Sequence, residues 1–143
     1  MQITSNFTIA VHIITAIDYF KDSETVTSSF LAGSVGANPV IVRNVMGSLK
    51  NAGIIETSQG KSGIKLYRPL EHITLYDVYN AVGCVGEDGL FHFHENPNMA
   101  CPVGRNIHKA MDERLCKIQA AMEDALRAIT IQEITKDIAS SDK

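Results

Sequence analysis

No run of about 18 apolar residues occurs anywhere in this chain of 143 residues, which excludes a membrane-spanning helix. Basic residues are missing before Lys21, and no small-residue cleavage site follows the apolar opening, so no secretory signal is expected. Cysteine is scarce and odd in number. Cys84, Cys101 and Cys116 do not make the paired framework of a small secreted domain, and free thiols are expected. Also missing are a phosphate-binding loop, a cofactor fingerprint and any third group to complete a nucleophile and base, so no enzyme is expected. These absences point to a cytoplasmic protein with no membrane partner, no cofactor and no catalytic residues.

Charge of either sign is in small excess. The net value is −3, which opposes nucleic-acid binding at first sight, but it is unevenly spread. Residues 1–70 hold six Lys/Arg against four acids, a net +2, while the remainder carries −5. That asymmetry places a nucleic-acid footprint in the first half and leaves the acidic second half for other work. An excess so modest calls for two copies acting together. The length and the 45% hydrophobic content suit one globular core plus an appendage.

Between Thr27 and Pro69 the chain carries a helix-turn-helix pattern followed by a wing. Thr27 caps a short helix that turns Phe30, Leu31 and Val35 inward, and Gly36-Ala37 makes the turn. The next helix is bracketed by Asn38, which can accept free amides, by Pro39, whose missing N–H costs nothing there, and by Gly53, a left-handed stop. Val42, Val45, Met46, Leu49 and Gly53 recur at helical spacing toward a core. Arg43, Asn44, Gly47, Ser48, Lys50 and Asn51 are left on a polar, basic side. Two strand-like runs, 54–58 and 64–68, flank the tip Gln59-Gly60-Lys61-Ser62-Gly63 and read as the wing, which Pro69 ends.

Residues 6–20 read as a helix capped by Asn6 and apolar almost all round, to be covered by its own domain and a partner chain. His12 within it reads as a satisfied, partly buried histidine. Thr74 and Asp77 resemble a capping box opening a helix whose apolar face is Leu75, Val78, Tyr79 and Val82 and which ends at Gly83. Periodicity vanishes from Cys84 to Ala100, a loop pinned by Leu90, Phe91 and Phe93. Pro102 to Ile129 then reads as one helix of about 40 Å. Ile107, Met111, Leu115, Ile118, Met122, Leu126 and Ile129 alternate steps of four and three along it, a seam suited to pairing with a second copy. Thr130 and Glu133 form a last capping box for a short terminal helix, and residues 139–143 are expected to fray.

The expected architecture is mainly α with a small β wing. A winged-helix DNA-binding domain spans 1–83 and a sensory loop 84–101, followed by a dimerisation helix with a short terminal helix over 102–143.

This order of parts resembles the Rrf2-type family of bacterial winged-helix transcription regulators, the group of IscR, NsrR and CymR, over essentially the whole chain. The stretches that carry the resemblance are Leu49-Lys50-Asn51-Ala52-Gly53-Ile54-Ile55, Leu66-Tyr67-Arg68-Pro69 and Ile73-Thr74-Leu75-Tyr76-Asp77-Val78. The run His94-Glu95-Asn96-Pro97-Asn98-Met99-Ala100-Cys101-Pro102-Val103-Gly104 is similar to the YwnA-like branch. Cluster-binding members of the family carry three cysteines close together before the long helix. Here only Cys101 stands there, with Cys84 and Cys116 far from it in sequence, so no iron–sulfur cluster is carried over. Gln59 also stands where the family often has an arginine at the wing tip, which leaves Lys61 to make the groove or phosphate contact.

The candidate DNA contacts follow. Thr27 and Ser28 can donate to a phosphate, while Asn38 and Val40 open the recognition helix. Arg43, Asn44 and Ser48 can reach base edges in a major groove about 12 Å wide. Lys50, Gln59, Lys61, Ser62 and Lys65 can fix register on the backbone. Cys101 is the candidate sensor, because Pro102 after it puts the thiol at a helix N-terminus, where unpaired amides favour the thiolate. Arg105 and His108, one turn inward, can add to that field. A small, partly buried hydrophobe is the plain alternative for Cys101, and Cys116 reads as packing.

Cys84, His92, His94, Cys101 and His108 are zinc or copper ligand types, but their spacing matches no standard zinc motif and no metal is predicted. The sequence therefore predicts a homodimeric regulator, a repressor by family likeness, bound to a double-stranded operator and responsive to thiol oxidation. Its dimer contacts are expected from residues 102–129 and the first helix. The alternatives are a winged-helix protein-interaction module and a metal-responsive regulator using the Cys/His loop.

Overall fold

Asn38 and Pro39 start their helix as the sequence requires, and the rest of the fold is assembled around it in a computed structural model that describes residues 4–57, 63–84 and 89–142. Six helices are described: α1 (Ser5–Phe20), α2 (Ser28–Val35), α3 (Pro39–Asn51), α4 (Leu75–Ala81), α5 (Pro102–Arg127) and α6 (Ile131–Ser141). A two-stranded antiparallel sheet pairs β1 (Ile55–Thr57) with β2 (Ile64–Leu66), in the register Ile55 to Leu66, Glu56 to Lys65 and Thr57 to Ile64. Leu70–His72 adds a single 3₁₀ turn after Pro69 that the sequence pattern did not predict.

Local chemistry accounts for the boundaries. Thr27 Oγ1 accepts from the Phe30 amide at 3.1 Å and Asn38 Oδ1 from the Val40 amide at 2.8 Å, satisfying donors that a helix start leaves open. Thr74 and Asp77 close a reciprocal capping box, and so do Thr130 and Glu133. Gly53 takes φ 74° just past α3, a backbone that a side chain would strain. Gly63 has a different reason. Its φ is 69°, and a Cβ there would lie 2.7 Å from the Val26 carbonyl oxygen, close beside the point where the Ile64 amide donates to that same carbonyl at 2.9 Å.

Ile13, Ile14, Ile17, Leu31, Val42, Leu49, Ile54, Ile73, Val78 and Ile131 are essentially inaccessible and form one core. α1 lies at its centre, packed by α2, α3, α4, β2 and α6 of the same chain. Three details differ from expectation. α1 begins at Ser5 after Thr4, so Asn6 is inside the helix and is not its cap. α5 stops at Arg127, which leaves Ile129 beyond it. The last helix does not fray at residue 139: α6 continues to Ser141, and Tyr19 on α1 donates its hydroxyl to Asp142 at 3.1 Å.

α6 returns to the head through backbone bonds as well as side chains. The Ile131 amide donates to the Ile73 carbonyl and the Leu75 amide to the Ile129 carbonyl, both at 2.9 Å. α5, in contrast, buries none of its residues, although it extends for about 39 Å. No helix among the described residues is long and apolar enough to cross a membrane.

Candidate nucleic-acid interface

The helical period puts Val42, Val45, Met46 and Leu49 of α3 into the core, all at most 8% exposed. The opposite side is open to water: Arg43, Asn44, Gly47, Lys50 and Asn51 are exposed, and Ser48 is half-buried with its hydroxyl donating back to the Asn44 carbonyl at 3.3 Å. Arg43 makes only a long bond from Nε to the Pro39 carbonyl, 3.4 Å. Among the described residues Arg43, Lys50 and Lys65 join no ion pair, so their charge stays directed outward.

α2 meets α3 through the left-handed turn at Gly36, φ 73°. A shallow concavity between them is lined by Ser28, Ser29, Gly33, Pro39 and Arg43, which gathers hydroxyls and a guanidinium beside the N-terminal end of α2. Hydroxyls and a guanidinium beside the unpaired amides of a helix start are phosphate-binding chemistry. On the sheet, Lys65 points outward opposite Glu56. Gln59, Lys61 and Ser62 lie outside the described residues. The sequence reading missed Ile41 of α3 and Tyr67 just past β2, which are 42% and 67% exposed. Strand alternation from Ile64 inward and Lys65 outward would have marked Tyr67 as outward too.

At the start of α5, Cys101 is the N-cap residue and half-buried, and its amide donates to the Asn98 carbonyl at 3.1 Å. The backbone amides of Gly104 and Val103 hold the Cys101 thiol below the usual thiol range. Cys84 is buried, and burial pushes its thiol up. Cys116 is exposed on α5, which corrects the packing role expected for it. Arg105 is drawn to the Met99 carbonyl at 3.5 Å, and the His108 ring packs on Phe93 at 4.5 Å between centroids. His94 and His108 approach to 5.3 Å between ring centroids, but no three His, Cys, Asp or Glu side chains come together as ligands among the described residues.

A polar joint connects the loop and long helix to the head. The Leu90 amide donates to Gln119 Oε1 at 2.8 Å, Gln119 Nε2 to Glu123 Oε2 at 3.4 Å, and the Tyr79 hydroxyl to the same Glu123 oxygen at 3.2 Å. Tyr79 is pushed up to about 12, first by burial and then by the Glu123 carboxylate. Arg127 lies 3.8 Å over the Tyr76 ring, a cation–π contact across the same joint.

The pair of α2 and α3 joined by a tight turn, followed by a two-stranded wing, makes a winged helix-turn-helix head, the fold of a regulator that binds DNA. The chain belongs to the Rrf2 family, described as iron-dependent transcriptional regulators, which it matches over residues 3–137. It is 37% identical over 133 residues to Bacillus subtilis YwnA, named as an HTH-type transcriptional regulator, covering 93% of this chain and 96% of the relative. A solved structure described as a DNA-binding protein shares 32% identity and a TM-score of 0.71, over 91% of this chain and 98% of its own. A regulator structure from Lactobacillus plantarum aligns with a TM-score of 0.77 at 24% identity, covering 94% of this chain and 90% of its own.

Proposed function

We propose that the protein is a cytoplasmic, homodimeric repressor that binds a double-stranded operator and loses or gains affinity when Cys101 is oxidised. In this reading residues 1–83 form the DNA-binding head, 84–101 the sensory loop and 102–143 the dimerisation element. Thr27 and Ser28 donate to a phosphate, Asn38 and Val40 set the first turn of α3, and Arg43, Asn44 and Ser48 meet base edges. Lys50, Lys65 and the wing residues Gln59, Lys61 and Ser62 hold the backbone. The observation that carries this reading is the unpaired, outward side of α3 in a chain whose relatives are named as transcriptional regulators.

Dimerisation is supported by α5. None of its residues is fully buried in its own chain, and it carries Met111 and Ile118, 40% and 52% exposed, within a regular apolar seam. In this reading the pairing surface is residues 102–129 together with the first helix, which keeps Tyr19 exposed. Crossed α5 helices would set two copies of α3 on successive turns of a palindrome-like site. Repression is the sense suited to a protein of this size with no evident activating surface. Oxidation of Cys101 to a sulfenic acid or mixed disulfide changes size and charge at the hinge of loop and long helix.

Binding to duplex DNA at increasing salt tests the reading. Affinity should fall steeply between low and moderate salt, and Lys50→Ala should weaken binding to all sequences and flatten the salt slope by about one unit. Arg43→Ala should instead abolish discrimination among sequences. If neither change alters duplex binding, this mechanism is lost. For the sensor, peroxide titration of operator binding should differ between the unaltered protein and Cys101→Ser, and identical responses remove Cys101 from the role.

A further inference from the structure

Gly47 stands in the middle of α3, exposed, and its φ is not among the positive values that favour glycine. A Cβ built on it meets no atom within 4 Å. At two other glycines the fold itself demands the bare backbone: at Gly63 a Cβ would crowd Val26, and at Gly104 it would collide with the Asn98 carbonyl, whereas the exposed Gly33 on α2 is as open as Gly47. At position 47 neither backbone conformation nor internal crowding asks for it, and a glycine inside a helix weakens that helix relative to alanine. The reason for a bare backbone there lies outside the chain.

Its neighbours say where. At about 100° per residue, the line directly opposite the buried Val42, Val45, Met46 and Leu49 runs through Val40, Asn44, Gly47 and Asn51. Val40 is a large hydrophobic left 55% exposed on the first turn. The stripe that faces furthest from the core is thus apolar, amide, bare and amide in order.

We propose that this stripe is the line of closest approach to the base pairs, with Gly47 left bare so that the α3 backbone can come down onto the groove floor and Val40 seated on the C5-methyl group of a thymine. Asn44, between them, is placed to read an adjacent adenine through its N6 and N7 edge. The inference rests on α3 being the DNA-reading helix and deepens that reading. It makes Gly47 and Val40 specificity-determining residues and requires a thymine in each half-site.

The test uses duplexes recovered from a random library by the unaltered protein. Gly47→Ala should raise the melting temperature by about 2–4 °C, yet weaken binding to those duplexes about tenfold or more. Unchanged or tighter binding, or a lower melting temperature, overturns the role of Gly47. Replacing thymines singly by deoxyuracil removes one methyl group at a time and should cost about fourfold at one position per half-site. That penalty should disappear in Val40→Ala. A penalty that persists there, or appears nowhere, overturns the role of Val40. If the unaltered protein selects no duplex, the DNA-reading assignment of α3 fails first. If it selects duplexes but Gly47→Ala binds them equally well, only the present inference fails.

Discussion

The Tyr79 hydroxyl donates to Glu123 Oε2 at 3.2 Å, joining α4 of the head to the C-terminal part of the long helix. Glu123 also receives Gln119, which in turn holds the Leu90 amide, so one carboxylate ties the head to the loop that leads toward Cys101. Tyr79→Phe keeps the ring and its stacking on Tyr76 while deleting the donor. A loss of about 1 kcal/mol in unfolding free energy is expected in denaturant titration. No measurable loss would show that the joint is held by ring packing alone.

Ile131 belongs to the core although it lies beyond the long helix in sequence. Ile131→Ala should therefore cost about 2–5 kcal/mol, as for a fully buried isoleucine. Thermal unfolding of the variant measures this. A cost near zero would mean that α6 is a dispensable tail.

Met111 and Ile118 of α5 leave much of their apolar surface exposed. The double change Met111→Glu with Ile118→Glu should leave the circular-dichroism spectrum intact and convert the sedimenting species to a monomer. Operator affinity should drop about a hundredfold or more, because the second head no longer binds as a tethered partner. A variant that sediments unchanged places the pairing surface elsewhere.

Cys101 and Cys84 should separate by pH. The Gly104 and Val103 amides lower the Cys101 thiol, so its thiolate persists as pH falls toward neutrality, whereas burial raises Cys84 and delays its ionisation to higher pH. Alkylation with iodoacetamide, followed by mass spectrometry at each cysteine, should give a rate profile for Cys101 with a midpoint below that of the unfolded chain. Coincident folded and unfolded profiles would remove the thiolate argument. Cys84 should stay unmodified until the protein unfolds.

The sequence by itself determined four helix starts that are set within a few residues along the chain. Thr27, Asn38, Thr74 and Thr130 bond to amides two or three positions away, so their helix starts are readable as motifs. The inward row of α3 follows from a period of 3.6, and the DNA-facing side is its complement. What lies between distant segments was not legible. Only the tertiary structure decided that α6 returns to pack on α1, with a contact between Tyr19 and Asp142 across 123 positions, where the sequence had suggested a frayed end. It also decided that Cys116 faces outward and that, among the described residues, no three His, Cys, Asp or Glu side chains gather as ligands. The physical reason is range: capping and periodicity report hydrogen bonds within one or two turns, whereas burial depends on which surfaces compete for the same apolar face. Gly47 shows both sides of this, since its position on the outward stripe can be counted from the sequence but the empty space above it appears only in the folded chain.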